Sequence, residues 1–130
     1  MKVVRQLIFL WLPLLLGLAG CASTPDPVAT KYHALGRADA QRDLERGRLA
    51  YEGYGYFGAN ISEIIELLHD RCQVEYRCVG GCTAGTETVE HARGYNEVMI
   101  PEIERRFGRD VWAKTETDAE ELYKSRKGLK

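Results

Sequence analysis

The chain has 130 residues, with 18 basic and 19 acidic side chains and a formal net charge of −1. It carries no basic patch and no basic–aromatic stripe, so it lacks the electrostatic footprint of a nucleic-acid binder. Its length suits one small domain with a single modest core, and it contains no P-loop, dinucleotide fingerprint or c-type haem attachment motif.

Residues 1–6 carry Lys2 and Arg5 and no acid, and residues 7–19 are apolar apart from the breaks at Pro13 and Gly17. A positive segment, a short apolar segment and a small-residue cleavage site make a secretory signal. The apolar run is shorter than the roughly 20 residues a bilayer-spanning helix needs. It ends in Leu18-Ala19-Gly20-Cys21, which resembles the lipobox of bacterial lipoproteins. The resemblance covers residues 1–21 only. It implies a signal peptide over residues 1–20, cleaved before Cys21, and a diacylglycerol and an N-acyl chain on that cysteine. More than one chain gives stable anchoring, each buried methylene contributing about 0.8 kcal/mol. Ala22 stands where an aspartate would resemble an inner-membrane retention signal, so the expected place is the outer membrane, facing the periplasm.

Residues 21–30 hold Pro25 and Pro27 among small and polar side chains and read as a tether. A single domain is expected over residues 31–125. Residues 31–46 have helix formers and few breakers. Gly36 and Ala40 lie four apart on one face, where a second backbone has room to approach. Asp39 and Asp43 also share a face. Paired carboxylates suit metal binding or acid–base work, but a solvated face with Arg42 and Arg46 as counter-charges explains them more simply. Gly47 suits a helix end. A short strand follows, and then Tyr51, Tyr54, Tyr56 and Phe57 alternate with Gly53, Gly55 and Gly58. Such a run is either a strand and turn covering the core or an aromatic platform for a sugar or a partner's side chains.

Asn60 and Glu63 fit a capping box. Ile61, Ile64, Ile65, Leu68 and Cys72 then recur at helical spacing. Residues 73–79 alternate, with Val74, Tyr76 and Cys78 on the inner side, and read as a second strand. Residues 80–85 form a glycine-rich loop before a long helix that Thr86 caps. Asn96 falls within the apolar stripe of that helix and needs partners, most simply as a hydrogen-bond bracket. Pro101 is expected to kink or divide the helix. A short turn at residues 110–112, a polar helix opened by a capping box at Thr117 and a disordered tail over residues 126–130 complete the chain. The expected fold is α+β and mostly helical, with a two-stranded sheet in the order α-β-α-β-α-α. Ile64, Leu68, Val74, Tyr76, Met99 and Ile103 are expected to share its core.

Beyond Cys21 there are three thiols, an odd number, at Cys72, Cys78 and Cys82. An extended strand holds Cys72 and Cys78 about 20 Å apart, beyond disulfide reach. The Cys78–Cys82 segment is able to turn back, which makes that pair the candidate disulfide. The thiols and His91 lack the paired Cys-x-x-Cys spacing of a zinc site, and no metal or cofactor is expected. The expected role is that of a non-enzymatic, lipid-anchored interaction module, its partner an envelope protein or a small ligand. Tyr54, Tyr56 and Phe57 would supply area to the recognition surface, with Cys82 and Thr83 of the glycine loop supplying polar contacts. The alternative is a ligand-binding or thiol-dependent enzyme domain centred on Cys82, with His91 as base.

Overall fold

The computed structural model describes residues 26–128. The signal peptide, Cys21 and the first part of the tether lie outside the described residues, as do the last two positions of the tail. The elements run α1 (Pro27–Glu45), β1 (Leu49–Tyr54), α2 (Ile61–Cys72), β2 (Val74–Gly80), α3 (Thr86–Phe107) and α4 (Val111–Lys127). This is the expected α+β order. The strands pair in parallel, from Leu49 opposite Val74 to Gly53 opposite Cys78, with an irregularity that sets Tyr54 opposite Gly80.

α1 begins earlier than the proline content suggested. Asp26 accepts a hydrogen bond from the Val28 amide at 2.8 Å, and Pro27 occupies the first helical turn. There a missing N–H costs nothing and the fixed φ is already helical. At the other end Gly47 adopts φ +71°, a left-handed conformation that glycine takes without penalty.

α1 packs along α3, and two glycines set how closely. A Cβ added at Gly36 would overlap the His91 carbonyl oxygen and stand 2.8 Å from the Tyr95 amide nitrogen. A Cβ at Gly94 would overlap the carbonyl oxygen of His33 and stand 2.8 Å from its carbonyl carbon. Each helix thus presents a glycine to the other's backbone. The Gly36–Ala40 face reads as expected; its counterpart at Gly94 does not stand out in the sequence.

The core joins Leu68 and Cys72 of α2, Val74 of β2 and Tyr95, Met99 and Ile103 of α3, with Ile64 and Tyr76 half-buried against it. The six expected core residues therefore meet. Cys78 is exposed, although its alternation with Val74 and Tyr76 placed it inward. Its neighbour Arg77 is half-buried instead, drawn in by Asp43.

Three capping expectations fail. Asn60 precedes α2 without a side-chain capping bond, and Glu63 is buried and faces Arg126 at 3.3 Å. α3 starts after Gly85 with no side-chain cap. Thr117 lies inside α4, its hydroxyl donating to the Ala113 carbonyl at 2.9 Å. α4 is continuous because Val111, Thr115 and Ala119 form a buried stripe at i, i+4 spacing against α2. It also runs beyond residue 125, since Arg126 holds Glu66 through two bonds of 2.9 Å. Pro101 stays within the unbroken α3, on its exposed side.

Candidate functional site

The aromatic–glycine segment closes β1 at the same end of the parallel sheet as the glycine loop after β2. The Gly55 amide donates to the Gly80 carbonyl at 3.1 Å, and Gly55 turns the chain at φ +94°. Tyr51 and Tyr76 are partners in register, with ring centroids 5.2 Å apart. Phe57 meets Tyr76 edge-on at 6.4 Å. A Cβ at Gly53 would overlap the Tyr76 hydroxyl and stand 2.7 Å from Cζ, so the ring lies where only a glycine leaves space. Burial, with Tyr51 and Cys78 nearby, pushes the Tyr76 phenol up to about 12, and it stays a neutral donor at physiological pH.

These rings form one wall of a groove of about 710 Å³. Tyr54 at the end of β1 and Tyr56 and Phe57 of the following loop border it, with His33, Arg93, Asn96, Glu97 and Ile100 from α1 and α3 opposite. Tyr56 is 87% exposed. Glu97 is held by Arg37 and by His33 Nε2 at 2.9 Å, and the bond from Arg37 leads in keeping its carboxyl below the usual range. The structure thus gathers Tyr54, Tyr56 and Phe57 at one site, but Cys82 and Thr83 do not line it. They form the corner of a tight turn closed by the Ala84 amide on the Gly81 carbonyl at 3.0 Å. The polar wall comes from α1 and α3 instead. Cys72, Cys78 and Cys82 are free thiols, so the structure contains no Cys78–Cys82 bond.

Asn96 is the bracket its position implied. Its side-chain oxygen accepts from the Glu52 amide at 2.9 Å, and its amide nitrogen donates to the Glu52 carbonyl at 2.7 Å. In a parallel ladder alternate residues turn their backbone groups away from the partner strand, and Asn96 satisfies those of Glu52 on the free edge of β1.

The Glu52 carboxylate meets His91 Nδ1 at 2.9 Å, while His91 Nε2 meets Asp39 at 3.2 Å. Two carboxylates on two ring nitrogens require two donors, which only the imidazolium supplies. Burial pulls the His91 pKa down, but the hydrogen bonds and charges of Asp39 and Glu52 more than offset this and raise it above its ordinary value. His91, the histidine nearest Cys82 in sequence, therefore has no nitrogen left to serve a thiol as base. Because its pKa is raised on folding, its contribution is complete below the unfolded value near 6.5 and fades as pH climbs through the folded value. Wild-type stability should fall as pH rises above the ordinary histidine value of 6.5, and His91→Gln should flatten that slope. Denaturant midpoints below and above that value check it; parallel profiles would contradict it.

The second carboxylate, Asp43, is buried. Tyr95 Oη donates to it at 2.7 Å, Arg77 at 3.0 Å and Arg48 at 2.6 Å. Burial raises its pKa, but the bonds from Tyr95 and Arg77 and the charges of Arg77 and Arg48 leave it below the ordinary value. The Tyr95 phenol is pushed well above its own, by burial first and then by its bond to Asp43. Asp39 and Asp43 therefore do not form one solvated face with Arg42 and Arg46: Asp39 pairs with Arg42 and His91, and Asp43 ties α1 to β2 and α3. Glu52, Arg77 and Tyr95 were not singled out by the sequence.

Among the described residues no cluster of three or more His, Cys, Asp or Glu side chains is placed to hold a metal ion. No described helix is long and apolar enough to cross a membrane. No family model, curated protein or solved structure matches the chain.

Proposed function

We propose that this chain is a lipid-anchored, non-enzymatic interaction module of the bacterial cell envelope, held at the outer membrane through Cys21 and facing the periplasm. Its aromatic groove receives another envelope component, a protein or a small ligand. The observation that carries this reading is the Tyr56 ring, 87% exposed at the lip of a groove already walled by Tyr51, Tyr76 and Phe57. Aromatic side chains bury large areas and dominate interface energetics when a partner covers them. The side chains best suited to acid–base chemistry, His91, Asp39, Glu52 and Asp43, are committed to one another or to nearby arginines and Tyr95, which favours recognition over catalysis. The anchor is supported by Leu18-Ala19-Gly20-Cys21 and its positive, apolar flank.

Two measurements test the two halves. Mass spectrometry of the mature N-terminus should find Cys21 carrying acyl chains, and Cys21→Ala should release the chain from membranes or leave its precursor uncleaved; an unmodified mature Cys21 overturns the anchor. Tyr54→Ser combined with Tyr56→Ser should abolish capture of the crosslinked partner with thermal unfolding nearly unchanged, because both rings already face solvent. Undiminished capture overturns the groove.

A further inference from the structure

We propose that a second cavity, between the sheet, α3 and α4, is a binding site for a small organic cation, an alkylammonium group. The cavity measures about 430 Å³ and is walled by Tyr51, Tyr76 and Trp112, with Glu104 of α3 and Glu116 of α4 beside them. It is within the size range of small-molecule sites.

Three features select a cation. The Tyr51 and Trp112 centroids lie 5.1 Å apart with planes at 50°, and those of Tyr51 and Tyr76 lie 5.2 Å apart at 45°. The rings therefore fan around one wall, and the negative face of an aromatic ring attracts an ammonium, tryptophan most strongly. The lining contains no Lys, Arg or His, so the site has no cation of its own. Glu104 and Glu116 form no ion pair with any described residue, nor do Glu87 and Glu121 on the same two helices, whereas Glu90, Glu97, Glu102, Asp118 and Glu120 all do; of the four unpaired carboxylates only Glu104 and Glu116 line this cavity. Two uncompensated carboxylates over an aromatic wall repel an anion and give a neutral apolar guest nothing to match, but they complement a positive group whose alkyl substituents face the rings.

This inference goes beyond the interaction reading and does not rest on it. The cavity shares Tyr51, Tyr76 and Ile100 with the groove, whereas Glu104, Glu116 and Trp112 line the cavity and not the groove. Trp112 also supplies the reporter, since its indole Nε1 is buried without an acceptor among the described groups.

The test follows the Trp112 indole N–H resonance of the isotope-labelled full chain during titration with choline, glycerophosphocholine and 3,3-dimethylbutan-1-ol, the neutral isostere of choline. Choline should shift the resonance saturably and the alcohol should not. Tighter binding of glycerophosphocholine than of choline would assign the group to a lipid headgroup, and weaker binding would assign it to a free alkylammonium compound; both support an ammonium site. The double variant Glu104→Gln, Glu116→Gln should weaken choline binding about tenfold with unchanged thermal unfolding. Equal response to choline and the alcohol, no saturable response to choline, or undiminished binding by a folded double variant would overturn the site. Because the double variant leaves Tyr54 and Tyr56 intact, its loss of choline binding is separable from any loss of partner capture at the groove.

Discussion

Gly94→Ala should destabilise the domain by about 3 kcal/mol, and Gly36→Ala by a similar amount. Neither glycine has a positive φ, so the loss does not come from the backbone conformation of the substituted residue. It comes from the opposing helix. The new methyl at position 94 would overlap the His33 carbonyl, and that at position 36 the His91 carbonyl. A backbone carbonyl has no rotamer to change, so α1 and α3 must separate along their whole contact. The Asp39–His91 and Asp43–Tyr95 bonds span that contact and would stretch with it. Gly81 is the control, since an added Cβ there meets nothing within 4 Å; Gly81→Ala should leave the urea midpoint nearly unchanged. Equal midpoints for all three variants and the wild type would contradict the described helix crossing.

Asp43→Ala should cost about 3–5 kcal/mol. The substitution removes the acceptor for Tyr95, Arg77 and Arg48 together. Tyr95 is 1% exposed, so its hydroxyl would be left without that partner in a dry place, and Arg77 would keep only Glu75 and the tyrosine oxygen. The half-exposure of Arg48 lets water replace part of the loss and favours the lower end of the range. The sign with pH is opposite to that of His91. The folded pKa of Asp43 lies below its ordinary value of 3.8, so its stabilisation is present above that value and is lost as pH falls through the folded pKa. Wild type should therefore destabilise on acidification below about pH 4 more steeply than Asp43→Ala. Chemical denaturation at neutral and acid pH measures both effects; a variant as stable as wild type at pH 7 would show that the network contributes nothing.

The sequence carried the fold because its periodicities were strong where the elements bury a face. The Ile64–Leu68–Cys72 spacing, the Val74–Tyr76 alternation and the Met99–Ile103 pair each point to the side that enters the core. Asn96 was legible too, since a polar side chain within an apolar stripe must be satisfied. What escaped were contacts made by a single residue across long separations. Arg77 falls at a position that alternation assigns to solvent and Glu52 sits in the aromatic–glycine run; they turn inward because Asp43 and His91 wait there, 34 and 39 residues away. Tyr95 lies beside the expected stripe, and its burial depends on Asp43 accepting from its hydroxyl. α4 was divided in two because Thr117 and Glu120 imitate a helix start, whereas its buried stripe of Val111, Thr115 and Ala119 is weakly apolar. Within the candidate site, the aromatic half was visible as an unusual run of rings and glycines. The polar half was not, since His33, Arg93 and Glu97 come from helices whose sequences give no sign of facing that loop.

The central claim, that the groove is a recognition surface, is tested most directly by placing a photo-activated crosslinking side chain at position 56 of the full chain in intact cells. The same side chain at position 107 serves as the control, since Phe107 is 40% exposed at the end of α3 and does not line the groove. Position 56 should yield one discrete adduct that position 107 does not, and Arg93→Ala on the opposite wall of the groove should diminish it. An adduct pattern identical at the two positions, or none at position 56, would contradict it.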